Sequence, residues 1–237
     1  MIFSRPLEQA IFLKRKSANI IEADTGVVKI DILCPNNSTL QNCAVLGSRI
    51  WYSPAELLPF YIPATWQIAE IDYGNLVIVN NYLCQDLFRE GFNNGIIKIA
   101  DLQTSVSTFC LMPDQSLPGG YTYDFNLQSA EQSCYVIVNS STFNLEEETN
   151  YFPESNYLDA RYELFNLIHA KMLGHRAILC CFILNNGINN LTFTAKYNKE
   201  YAELLYKALE LGVEFIGYST RTNYHGIEVL DDIVINK

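Results

Sequence analysis

The sequence predicts a mixed α+β fold, with a small N-terminal β-barrel followed by an α/β domain built on a central mixed sheet. Two changes of pattern lead there. Residues 1–76 run as short apolar/polar alternations broken by turn residues, whereas residues 77–237 combine β-like runs with long segments of helical period. Composition agrees. The chain has 237 residues, 49% hydrophobic and 18% charged, enough apolar surface for one large domain or two small ones.

In the first part, AIFLKR, ANIIEAD, VVKIDILC, SRIWYS and TWQIAEID read as five short strands. Asp24-Thr25-Gly26, Pro35-Asn36-Asn37-Ser38 and Tyr73-Gly74-Asn75 supply turn chemistry between them. Five strands without a long helix suit a small barrel or sandwich, and a barrel of the oligonucleotide/oligosaccharide-binding (OB) type is one candidate. From Val77 the pattern shifts. Residues 80–92 place Leu83, Leu87 and Phe88 on one helical face, with Gly91 as the expected stop. TSVSTFCLM, YTYDFNLQ and CYVIVNSSTF follow as strands, and the triplet Glu146-Glu147-Glu148 reads as a solvated turn. Residues 156–175 form an amphipathic helix whose periodic stripe is Leu158, Tyr162, Phe165 and Ile168/His169. RAILCCFIL is a buried strand, residues 197–212 a second amphipathic helix closed by Gly212, and VEFIGYST a further strand. This order gives a mixed sheet covered by helices.

Several classes of function are excluded or made improbable by composition. The longest apolar runs, such as AILCCFIL, fall far short of the ~20 residues of a spanning helix. Within the first twenty residues the basic cluster follows the apolar stretch, the reverse of a secretory signal. A cytoplasmic protein without membrane contact is expected. The seven cysteines are odd in number and lie mostly in or beside apolar runs, which indicates buried thiols rather than disulfides. No CxxC or Cys/His zinc spacing occurs, and His169, His175 and His225 are far apart. No GxGxxG, Walker loop, HExxH or GxSxG is present. No cofactor is expected.

The formal net charge is −10. Binding a polyanion requires Lys and Arg concentrated in one place. Residues 1–60 hold six Lys/Arg against five Asp/Glu, and residues 61–237 hold ten against twenty-one. A basic patch can therefore form only around Lys14, Arg15 and Lys16, extended by Arg5, Lys29 and Arg49.

The α/β half carries one chemical pattern. An Asp on one strand, a Glu-x-Lys on its neighbour and a following helix make the signature of the restriction-endonuclease-like, or PD-(D/E)xK, fold. Its carboxylates hold a hard cation such as Mg²⁺ and its lysine orients the attacking water. Here Asp124 lies in TYDFNL, but the neighbouring strand reads VIVNSS, with Ile137 and Asn139 at the two positions.

CPNNSTLQNCAVLGSRIWYS at 34–53 resembles the pattern CPNtGxMxgc…G…vwlS of the sugar fermentation stimulation protein (SfsA) family. FSRPLEQAIFLKR, ATWQIAEI, LVIVNNYL, YTYDFNLQ, CYVIVNSSTF, YFPE, GHRAILCCFIL and EYAELLYKALELGVEFIGYST match in family order, so the resemblance covers nearly the whole chain. It implies an OB-like barrel over residues 1–76 and a nuclease-like α/β domain over 77–237, in a nucleic-acid-binding protein linked to regulation of sugar metabolism. Arg15, Asn36, Gly47, Trp51, Trp66, Asn80, Asp124, Pro153 and Gly174 fall on matching positions. The departures are polar. Ile137 and Asn139 replace the glutamate and lysine, and Thr122 stands where an arginine is usual. YLDARYELFNL replaces TxRGxxHLxEL, and Ala18 and Asn19 replace a basic and an aromatic residue.

Asp124 is thus a vestigial catalytic residue, Ile137 and Asn139 are substituted positions, and no metal is expected. Lys14, Arg15, Lys16 and Arg49 are the candidate phosphate contacts of weak DNA binding, with Trp51 and Trp66 as stacking platforms if exposed and core residues otherwise. Two alternatives stay open. One is a protein-interaction or regulatory module with a protein partner. The other is a Mg²⁺-dependent nuclease with a relocated site, in which Glu131, Glu146, Glu148 or Glu163 joins Asp124 and Lys171 or Arg161 replaces the lysine.

Overall fold

The computed structural model describes residues 1–36, 43–54, 64–71, 74–99, 122–128, 133–144, 149–152, 158–186, 190–195 and 198–236. Six strands form the first sheet: β1 (Glu8–Ser17), β2 (Ile20–Asp24), β3 (Lys29–Leu33), β4 (Arg49–Pro54), β5 (Ala64–Ile71) and β6 (Asn75–Ile78). Their order is β3-β2-β1-β4-β5-β6, and β3 also meets β5 in parallel at Leu33 and Thr65. That second pairing closes β1–β5 into the five-stranded Greek-key barrel of the OB type. The alternation visible in the sequence drives the closure, because Phe12, Ile21, Ala23, Ile32, Ile50 and Trp66 all point into one core.

The second half is built on a five-stranded mixed sheet. Its strands are β7 (Phe125–Gln128), β8 (Ser133–Ser140), β11 (Arg176–Ile183), β13 (Glu214–Asn223) and β14 (Gly226–Asp232). The order is β14-β13-β11-β8-β7, with β8, β11 and β13 parallel and the two outer pairs antiparallel. β11 has no polar face. Ala177, Leu179, Cys181 and Ile183 pack on one side, Ile178, Cys180 and Phe182 on the other, as a central strand covered twice requires. Helix α1 (Leu83–Asn93) covers the second side through Cys84, Leu87 and Phe88. Helices α2 (Leu158–Met172) and α3 (Lys199–Glu210) cover the first. Asn198 caps α3, its side-chain oxygen accepting from the Tyr201 N–H at 3.0 Å, a contact typically worth about 1 kcal/mol. A small sheet of β9 (Thr142–Asn144), β10 (Thr149–Phe152), β12 (Asn190–Phe193) and β15 (Val234–Asn236) completes the described architecture.

Several expectations change. Gly91 does not stop α1; it is buried inside the helix, where an added Cβ would lie 2.9 Å from Ile97 Cδ1, and Gly95 with φ +70° makes the turn. Of the stripe read on the 156–175 helix, Tyr162 and Phe165 turn outward while Ile168 packs against the core. Leu164, Leu167 and Ala170 are fully buried, whereas Tyr162 and Phe165 are exposed. The segment TSVSTFCLM lies outside the described residues.

The expected boundary at 76/77 falls inside β6. One edge of β6 pairs with β5. The other meets the tail of β11: the Ile78 N–H donates to Leu184 O at 2.8 Å, Val77 bridges Asn185, and the Asn186 N–H donates to Leu76 O. Among the described residues no helix is long and apolar enough to cross a membrane.

Candidate functional site

Asp124 immediately precedes β7, where pairing with β8 ends. The last registered pair is Phe125 with Val136, so the Val138 N–H has no β7 carbonyl to meet. Asp124 Oδ2 accepts that N–H at 2.7 Å, and Oδ1 accepts from Gln85 Nε2 of α1 at 2.6 Å. Burial holds the Asp124 carboxyl above the usual carboxylate range, opposed by these two hydrogen bonds.

The two substituted positions take different paths. Ile137 is buried among Leu164, Leu167 and Leu179, packed beneath α2. Asn139 remains partly accessible, and its Nδ2 donates to Glu163 Oε2 at 2.8 Å. Glu163 stands where the resembled helix pattern has its histidine, so the residues replacing that histidine and the lysine are in direct contact. Tyr201, with its buried hydroxyl, lies near Glu163 and Cys181, and burial holds its phenol well above its ordinary pKa.

These donors do not fit a divalent cation. Both Asp124 oxygens are engaged, Ile137 has no donor atom, and Asn139 is bonded to Glu163. Among the described residues no group of three or more His, Cys, Asp or Glu is placed to hold a metal. Of the relocation candidates, Glu131, Glu146 and Glu148 lie outside the described residues. Arg161 pairs with Glu200, and Lys171 packs where a Cβ on Gly212 would lie. Nucleophilic thiols are not offered either. The six described cysteines are buried, and burial pushes the Cys134 thiol up to about 12.

In the barrel, strand register joins the candidate cations to carboxylates. Lys14 lies opposite Glu22 on β2 at 3.3 Å, Lys16 bonds both oxygens of Asp31 at 2.9 Å, and Arg49 pairs with Glu70. The Asp31 hydrogen bond raises the Lys16 pKa above its ordinary value. Arg15 has a structural contact set. Its NH2 donates to the carbonyls of Ala18 (2.8 Å) and Asn36 (2.7 Å), and approaches Cys34 Sγ at 3.5 Å. It thereby clamps the Cys34-Pro35-Asn36 turn onto β1.

The stacking role expected of the tryptophans fails on burial. Trp66 is 0% exposed, with its indole N–H bonded to Ile68 O. Trp51 is 7% exposed and stacks at 4.5 Å on Tyr224 from the β13–β14 turn. Both are core residues, Trp51 at the junction of the two halves. Gln85 escaped the sequence reading because nothing local marks an exposed helical glutamine as the partner of a strand 39 residues away. Glu163 was legible only as one acid among many.

The family model described as the Sugar fermentation stimulation protein RE domain matches residues 83–226. Sugar fermentation stimulation protein homologs from Shewanella baltica (strain OS185) and Shewanella sp. (strain MR-4) are 30% identical over 220 and 221 residues, covering 92% of this chain and 92% of each relative. The solved structure of SfsA from Pyrococcus furiosus in complex with Ca²⁺ superposes with a TM-score of 0.86 at 18% identity, covering 100% of this chain and 98% of that one.

Proposed function

Because the chain belongs to the sugar fermentation stimulation protein family, we propose that it is a non-catalytic member: a cytoplasmic nucleic-acid-binding protein, linked to regulation of sugar metabolism, in which the nuclease-like strand pair has become structural. One observation carries this reading: Asp124 caps the Val138 N–H while Ile137 belongs to the core. A lone carboxylate, already bonded twice, cannot replace the several oxygen ligands that Mg²⁺ demands. The Pyrococcus furiosus protein was solved with Ca²⁺; in this chain we infer weak divalent-cation binding at most.

DNA contact rests on Lys14, Lys16 and Arg49, all exposed on the barrel. Exposed ion pairs contribute little, so a phosphate competes for each cation, but Glu22, Asp31 and Glu70 stay beside it and repel. Weak, salt-sensitive binding is the consequence. Fluorescence anisotropy with short single- and double-stranded DNA tests it: affinity should fall steeply between about 50 and 200 mM salt and rise when Glu22 and Asp31 become Gln and Asn. The absence of binding at the lower salt sinks the nucleic-acid role, and Mg²⁺-dependent cleavage of either substrate sinks the non-catalytic one.

A further inference from the structure

Helices α2 and α3 share one layer but differ in design. α3 is one-sided, burying Tyr201, Ala202, Leu205 and Ala208 and turning mostly polar residues outward. α2 is apolar on two faces. Its inner stripe of Leu164, Leu167 and Ala170 meets the sheet; the outer stripe of Tyr162, Phe165 and Met172 does not, and Ile168 lies between, partly buried against the same core. Tyr162, Phe165 and Met172 are 68%, 51% and 76% exposed. Together with Leu204 and Leu211 of the α3 segment, the outer stripe lines an open groove of about 630 Å³. A helix apolar on both faces has the sequence of a helix covered on both, and exposed apolar patches of this kind mark interaction sites.

We propose that this groove is the self-association face of the protein, and that its occupant is the same groove of a second copy. The rim selects the partner. Arg161 and Lys207 border the groove together with Glu200 and Glu203, two cations against two anions, in a chain whose net charge is −10. A two-fold axis sets one patch against itself; Arg161 is already paired with Glu200 in its own copy, so Lys207 is the cation that faces a partner carboxylate while the apolar floors meet. A locally balanced rim escapes the repulsion that two copies of so acidic a chain would meet elsewhere. It offers a polyanion no net attraction. The four helices would then pack as a bundle across the dyad.

Light scattering on the size-exclusion peak of the full chain at increasing micromolar concentration is the test. The proposal expects a mass approaching twice 27.0 kDa. Phe165→Glu should weaken the dimer at least tenfold, since it places a charge in the centre of the contact, with an unchanged far-ultraviolet circular dichroism spectrum because the side chain is already exposed. Tyr82→Glu, an equally exposed aromatic on another face, should leave the dimer intact. A single-chain mass at every concentration overturns the proposal, including the case where the groove captures some other protein. So does a dimer that Phe165→Glu leaves unchanged.

Discussion

Arg15 in the barrel and Asp124 at the β7–β8 pair are both charged residues at family-matching positions, and both direct their side chains to the backbone. Arg15 gathers two carbonyls and a thiol from the β1–β2 turn and the segment after β3. Asp124 receives one amide from a strand and one from a helical side chain. The difference lies in what surrounds them. A guanidinium keeps its charge at any working pH, and the turn that Arg15 holds still carries Cys34 and Asn36. Around Asp124 stand Ile137, which carries no polar side-chain atom, and Asn139, which is bonded to Glu163, while the carboxylate accepts from Val138 and Gln85. In the proposed non-catalytic reading, Asp124 persists as architecture.

The largest effect that would sharpen this comparison is expected at Ile137. Ile137→Glu buries a carboxylate among Leu164, Leu167 and Leu179 and should cost about 3 kcal/mol or more, read from urea denaturation midpoints. Near-normal stability, together with a gain in divalent-cation affinity, would mean that the site still accepts its old ligand. Arg15→Ala comes next. Losing hydrogen bonds from a charged donor to two carbonyls should cost about 2 kcal/mol, with Arg15→Lys recovering only part of it. Normal stability with abolished DNA binding would instead make Arg15 a phosphate contact.

The smallest effect belongs to Asp124→Asn, which should change stability by less than about 1 kcal/mol at neutral pH. The direction of its pH dependence follows from the raised folded pKa. An unfolded aspartate titrates near ~3.9, below the folded group. The stability that Asp124 contributes is therefore fully present below the unfolded value, declines as pH climbs through the folded value, and is flat above it. Melting temperatures of the Asn variant should lack that decline. An equally steep decline in the variant would assign it to another group.

Legibility varied with range. The barrel was readable because the inward residues of its strands repeat at a period of two, and β11 because an apolar run eight residues long has few other uses. The core face of α2 was misread because two apolar stripes compete on one helix, and periodicity alone cannot say which meets the sheet. The strands of the small sheet are only three or four residues long and carry no period. At the candidate site the substitutions at 137 and 139 were visible, but their consequences were not. The contacts Gln85–Asp124 and Asn139–Glu163 join residues 39 and 24 positions apart, and the neutralised patch depends on strand register.

β6 lends one edge to the barrel and the other to the tail of β11, so the halves are joined by a common strand rather than a tether. For the protein's evolution this removes modularity. A deletion at the 76/77 step would split β6 and strip hydrogen bonds from both sheets, so neither half can be discarded without exposing an edge of the other. The barrel therefore needs the hydrophobic frame of the α/β half whatever residues stand at positions 137 and 139.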